Sequence, residues 1–154
     1  MPINRLRDYL DKNKVKYVVI IHSPSYTAQE IAAAAHIPGK ELAKSVVLKL
    51  DGKMALAVLP ASQKVDLERC KKRTGAKKVE LASEEEFKYH FPECEIGAMP
   101  PFGNLYDMET FVSDTLSENE FIAFNAGNHR ELIKTTYRDF VNLVKPKILP
   151  MAIE

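Results

Sequence analysis

Asp51-Gly52 is the feature that most constrains what this chain can fold into. A two-residue Asp-Gly turn takes positive φ at both positions and closes a type I′ hairpin, whose twist matches that of the strands it joins. The flanking runs, 45–50 and 54–59, alternate and carry enough aliphatic residues to be those strands. Such a turn makes Leu50 face Lys53, Leu48 face Ala55, Val46 face Ala57 and Lys44 face Leu59. Because strand side chains alternate, Lys44 falls on one face with Val46, Leu48, Ala55, Ala57 and Leu59. An ammonium ending an apolar stripe either snorkels to water or waits for a ligand. The small alanines opposite also leave space on that face.

The rest of the chain adds both helices and strands. Ile3, Leu6 and Leu10 recur at helical spacing, in a helix ending near Lys14. Residues 17–21 read as a short buried strand. Thr27 and Glu30 form a capping box opening an Ala-rich helix over 28–36, which Pro38 and Gly39 end. Val65, Leu67 and Cys70 lie on a short helix stopping near Gly75, and 77–81 read as a strand. Ser83 and Glu86 make a second capping box. Residues 109–112 and 121–124 read as strands paired around the polar turn 117–120, with another strand at 131–134. Tyr137, Phe140, Val141 and Val144 mark the last helix. Pro146 ends it, leaving 146–154 as a short tail. Strict βαβ alternation is missing and the hairpin is antiparallel, so the expected class is α+β with a mixed or antiparallel sheet. At 154 residues, 45% of them hydrophobic, one domain over 1–154 is expected, since a chain of this size buries about 68–70% of its unfolded surface.

The chemistry is sparse. A net charge of +1 argues against a basic coating for long nucleic acid, though Lys71, Lys72, Arg73, Lys77 and Lys78 could form a local patch. Cys70 and Cys94 show no metal-ligand spacing and read as small hydrophobes. His22, His36, His90 and His129 lie far apart, with no H-E-x-x-H spacing, and no nucleophile elbow, Walker loop or dinucleotide fingerprint occurs. No cofactor or metal is expected. Arg5, Arg7 and Asp8 interrupt any signal-peptide pattern, and no apolar run approaches the 18 or so residues of a membrane span, so a cytoplasmic protein without membrane contact is expected. What stands out is the uncharged loop 97–103, Gly-Ala-Met-Pro-Pro-Phe-Gly. Prolines fix its path and glycines allow close approach, so it presents backbone rather than side chains. His129, beside Gly127 and Asn128, is the histidine best placed to meet a ligand.

Four segments occur in order: Tyr26-Thr27-Ala28-Gln29-Glu30-Ile31-Ala32, then residues 41–49 around Lys44, then the loop 97–103, then Asn125-Ala126-Gly127-Asn128-His129. Together they resemble the YbaK/prolyl-tRNA synthetase-associated domain family, over a span from about Leu6 to Val144. That family comprises free-standing trans-editing proteins and an insertion domain of bacterial prolyl-tRNA synthetases; without a synthetase catalytic domain, this chain is similar to the free-standing members. The resemblance implies a curved, barrel-like mixed β-sheet flanked by helices. It implies hydrolysis of the ester of a mischarged tRNA, with backbone groups, a bound water and the substrate's ribose hydroxyl in place of a side-chain nucleophile. Its lysine corresponds to Lys44, and its catalytic loop glycines to Gly97 and Gly103. Substrate contacts then fall to Tyr26, Met99, Pro100, Pro101, Phe102, Gly127 and His129. The amino acid removed does not follow from the resemblance; Met99, bulky and held on one path by Pro100-Pro101, is itself expected to restrict the pocket to a small side chain such as that of alanine or serine. The partners implied are mischarged tRNA and an aminoacyl-tRNA synthetase. A catalytically silent module that binds an aminoacyl-adenosine-like ligand or a protein is the alternative.

Overall fold

The structure is a computed structural model describing residues 3–153; residues 1, 2 and 154 of the expected unit lie outside the described residues, as does the side chain of Ala28. In chain order the elements are α1 (Asn4–Lys12), β1 (Val18–Ile21), α2 (Ala28–Ala35), β2 (Leu42–Leu50) and β3 (Lys53–Pro60). There follow β4 (Lys64–Val65), α3 (Leu67–Thr74), β5 (Val79–Leu81), α4 (Glu84–Phe87), β6 (Glu109–Ser113) and β7 (Phe121–Asn125). The chain closes with β8 (Glu131–Thr136), α5 (Tyr137–Val144), β9 (Lys147–Leu149) and β10 (Ala152–Ile153).

The β2–β3 hairpin is the centre of the sheet. Asp51 and Gly52 have φ of 51° and 85°, as the type I′ turn demands. The register pairs Lys44 with Leu59, Val46 with Ala57, Leu48 with Ala55 and Leu50 with Lys53, as expected from the turn. Around it the strand order is β1-β8-β7-β2-β3-β6-β9, with β5 on β2. The β2–β7, β3–β6 and β6–β9 pairs are parallel and the others antiparallel. The result is a large curved mixed sheet flanked by helices, the α+β class expected.

Three expectations change. The strands over 109–112 and 121–124 exist but do not pair with each other. Ser113 caps a 3₁₀ turn, Asp114–Glu118, and Asn119 Nδ2 donates to Lys40 O at 2.8 Å. The chain is thereby carried across the hairpin, so that β6 pairs with β3 and β7 with β2. Both open edges of the central hairpin gain backbone partners, which a local turn would have left bare. Second, β1 is not buried: it is an edge strand on β8, with Val18 60% and Ile21 78% exposed. A short apolar run looks the same at an edge and at a centre. Third, the segment after Pro146 is no free tail. β9 lies along β6, β10 pairs with β4, and Met151 is fully buried.

Each sheet face carries its own helices. Alternation sends Ala43, Val47, Leu56 and Val58 to one face, where Leu6 and Leu10 of α1, Phe140 of α5 and Phe102 pack. The opposite face carries Leu48, Ala55 and Ala57 under Cys70 of α3, and Leu42, Ala61 and Ala123 under Ile31 of α2. Helix ends follow the sequence signals: the Ser83–Glu86 capping box is formed on both sides, and Thr27 Oγ1 accepts from Glu30 N–H at 3.1 Å. Gly103 is held by packing, because a Cβ there would overlap Thr110 Oγ1 and come within 2.7 Å of Met108 O. Gly103→Ala is expected to lower stability by about 1–3 kcal/mol, the usual cost of overpacking, read as an earlier denaturant midpoint at unchanged m-value.

Candidate active site

Lys44 leaves β2 on the face shared by α2 and α3, in the interval between them. Its side chain is half-buried and its Nζ reaches only a backbone carbonyl, Ala61 O, at 3.5 Å. Among the described residues no carboxylate neutralises it. Burial pulls its pKa down from the ordinary lysine value, and the nearby Lys64 cation adds to the effect. A cation kept partly dry and without a counter-ion is set to take an anion or a polar ligand.

The parallel ladder pairs Leu42 with Ala123 and Ala43 with Phe124, so one step further Lys44 lies beside Asn125 on the same face. Asn125 is 9% exposed, and its Oδ1 is buried without a hydrogen-bond partner. It opens the segment 125–129, which turns back through Gly127 at φ +95°. A Cβ on Gly127 would stand 2.5 Å from Ile3 Cγ2, so no larger residue fits.

The two loops are stitched together by backbone. Gly127 N–H donates to Ala98 O at 3.0 Å, and Glu95 N–H donates to Gly127 O at 2.8 Å. His129 N–H donates to Glu95 Oε1 at 3.2 Å. The His129 ring meets Ile96 O through Nε2 at 2.8 Å. A carbonyl can only accept, so Nε2 carries the proton and Nδ1 of the neutral ring is an open acceptor. That Nδ1 is buried and unpartnered. Tyr26 covers the ring at 4.7 Å between centroids, while remaining 67% exposed itself. His22 adds a third open atom: its Nδ1 meets Ser23 O at 2.7 Å, leaving Nε2 buried and bare.

Tyr26, Gly97, Gly127 and His129 thus form one cluster, and the chain runs into it from Asn125, the strand end level with Lys44. The rest of the expected substrate loop turns away. Within 97–103 only Gly97 is exposed. Met99 and Phe102 are buried in the main core, Pro100 and Pro101 are buried beside them, and Gly103 abuts Thr110. Met99, expected to line the amino-acid pocket, instead turns its sulfur to Gly97 N–H at 3.2 Å. Those residues hold the loop's path while Gly97 presents it. Asn125 and His22 were missed as site residues by sequence reasoning. The signal for Asn125 was present, a polar residue closing an otherwise apolar strand, Phe121–Asn125.

Neither cysteine joins this cluster. Cys70 is on the buried face of α3, and Cys94 lies 3.4 Å from the Tyr106 hydroxyl. Burial pushes both thiols up, away from the reactive thiolate. Among the described residues no His/Cys/Asp/Glu group could hold a metal, and no helix is long and apolar enough to cross a membrane.

The chain is similar to several known proteins. Prolyl-tRNA editing protein ProX of Acetoanaerobium sticklandii is 27% identical over 143 residues, covering 88% of this chain and 86% of that protein. Proline–tRNA ligase of Bacillus mycoides is 35% identical over 81 residues, which are 53% of this chain but only 14% of the ligase. Several solved structures share the fold, among them two that cover 97% of this chain. One, described as a candidate trans-editing enzyme for prolyl tRNA synthetase, gives a TM-score of 0.82 at 20% identity, with 97% of this chain and 96% of that one covered. The other, described as hypothetical protein APE2540, gives 0.86 at 16% identity over 97% of this chain and all of its own. The family described as aminoacyl-tRNA editing domain matches residues 22–143, which contain Tyr26, Lys44, Gly97, Asn125 and His129, and with most of its length matched the chain belongs to that family.

Proposed function

We propose that this chain is an aminoacyl-tRNA deacylase, hydrolysing in trans the ester that joins a wrong amino acid to its tRNA. The observation that carries this reading is Lys44, a half-buried ammonium without a counter-ion among the described residues, one ladder step beyond the Ala43–Phe124 pair and so level with Asn125, which opens the segment to Gly127 and His129. In the reaction, water adds to the ester carbonyl, the oxyanion collapses, and the terminal ribose leaves as its hydroxyl while the amino acid departs as a carboxylate. The Lys44 ammonium holds the terminal phosphate or ribose as a point charge. Gly97 N–H meets the developing oxyanion by exchanging its bond to the Met99 sulfur, a weak acceptor, for one to a charged oxygen. Tyr26 offers an exposed ring on which a terminal base stacks. His129 and Asn125 supply open acceptors for the substrate's hydroxyl, amino group or water. The names of the relatives support a prolyl-tRNA substrate and prolyl-tRNA synthetase as the associated partner.

A panel of mischarged tRNAs, scored for release of each amino acid, tests this. Release from at least one supports it, whereas tight binding without release makes the chain a silent binding module.

Two further outcomes follow from the site. With its pKa lowered, Lys44 loses its charge at a lower pH than a free lysine would, so kcat/KM falls on the alkaline side earlier than ordinary lysine titration predicts. Lys64→Gln removes one cause of the lowering and shifts that alkaline limb to higher pH, which a pH–rate profile of both proteins measures. Replacing Cys70 and Cys94 together by alanine leaves turnover intact, with only a modest stability loss. A folded but inactive double variant would reveal thiol chemistry.

A further inference from the structure

Two buried histidines present lone pairs that no donor of the described residues meets, and one of them, His22, takes no part in the deacylation chemistry. His22 and His129 are each only 7% exposed. In both rings a backbone carbonyl sets the tautomer. His22 Nδ1 lies 2.7 Å from Ser23 O, a carbonyl that also accepts from Ser25 Oγ at 3.1 Å. The neutral ring therefore carries its proton on Nδ1 and keeps Nε2 as an acceptor. His129 is the opposite tautomer, with Nε2 donating to Ile96 O at 2.8 Å and Nδ1 open. A buried acceptor without a donor is costly, so each ring calls for a donor from outside the chain.

The two histidines stand on segments that run side by side. His22 N–H donates to Arg130 O at 2.8 Å, and Ser25 N–H donates to His129 O at 3.1 Å. His129 in turn lies against the candidate oxyanion donor: a Cβ on Gly97 would stand 3.6 Å from His129 Cε1, the ring carbon bonded to Nδ1.

We infer that His22 and His129 read the α-amino group of the amino acid carried by the tRNA, an inference that rests on the deacylase reading. Two open acceptors fit a group with more than one N–H. A hydroxyl or an amide carries a single hydrogen and satisfies one of them, whereas an amine satisfies both. In an aminoacyl ester the amine and the carbonyl hang from the same carbon. A residue that reads the amine must then stand next to the group that meets the oxyanion, as His129 stands next to Gly97. An ester whose amine has been acylated, as in a peptidyl-tRNA, leaves a buried acceptor unpaired and is refused.

Two hydrolysis-resistant amides test this: 3′-deoxy-3′-(L-alanylamino)adenosine and its N-acetyl derivative, each titrated calorimetrically into the full chain. The free amine is expected to bind about 100-fold more tightly. His22→Phe keeps an aromatic ring without an acceptor and reduces that ratio to about tenfold; a purely structural role would weaken both analogues alike and leave the ratio unchanged. His22→Gln, whose Oε1 accepts, restores part of it. If His22→Phe does not fold, nitrogen NMR of the wild-type imidazoles decides: His22 Nε2 and His129 Nδ1 shift with the free amine and stay in place with the acetylated analogue. The same amide built on purine riboside, which lacks the adenine amino group, separates the two possible amines. If affinity is lost there and acetylation has no effect, the rings read the terminal base and the assignment to the amino acid falls. Equal binding of the free and acetylated analogues, binding of neither, or an unchanged ratio in His22→Phe overturns the inference. Discrimination between the analogues without release of an amino acid from any mischarged tRNA overturns the deacylase reading alone.

Discussion

Lys44→Ala is expected to lower kcat/KM for a mischarged tRNA by about 100-fold or more, the scale of losing one preorganised electrostatic contact to the reacting group. Stability should hardly move. Lys44 ends an apolar stripe, half-buried, and its hydrogen bond to Ala61 O is long at 3.5 Å, so its removal resembles a surface change, within about 0.5 kcal/mol. Lys44→Met separates charge from stem: it keeps most of the packing, loses the ammonium, and should be as inactive as the alanine variant. A methionine variant with near-normal turnover would show that only the aliphatic stem mattered. Thermal melting and steady-state kinetics on the three proteins provide the check.

Gly97→Val should lose activity on every substrate, also by about 100-fold or more, while the protein stays folded. Gly97 sits at φ +87°, where a β-branched residue is strongly disfavoured. A Cβ there would lie 3.6 Å from His129 Cε1. That is ordinary contact for the first carbon, but valine's two methyls would press on the ring and into the space where the loop meets a ligand. Gly97→Ala isolates the backbone effect. It carries a left-handed strain of roughly 1–2 kcal/mol with little crowding, so its activity should fall between wild type and valine. Equal turnover in all three proteins would make the loop a structural turn only. The residue is exposed and outside the main core, which is why a folding failure is not the expected result.

Much of this site was legible before folding because local rules produced it. Asp51-Gly52 set the hairpin register, and the register set the face on which Lys44 stands. Gly97 and Gly127 announced backbone approach, and both take positive φ. Periodicity was weaker on partners. It found strands at 109–112 and 121–124 but not that each would take one edge of the central hairpin, because a strand's pattern encodes its faces and not its neighbours. The same blindness made β1 look buried and β9 look like tail.

What the sequence by itself determined, then, is the set of elements, the central hairpin with its register, and the residues able to present backbone or charge. These follow from turn geometry, alternation and capping, which act within a few residues. Only the tertiary structure decided that Met99 and Phe102 point into the core while Gly97 faces out, and that Asn125 is brought beside Lys44 by a parallel ladder between β2 and β7. It also decided that β9 lies along β6 and that β10 pairs with β4. Each depends on contacts between segments remote in the chain, where burial and pairing of distant strands outweigh any local preference.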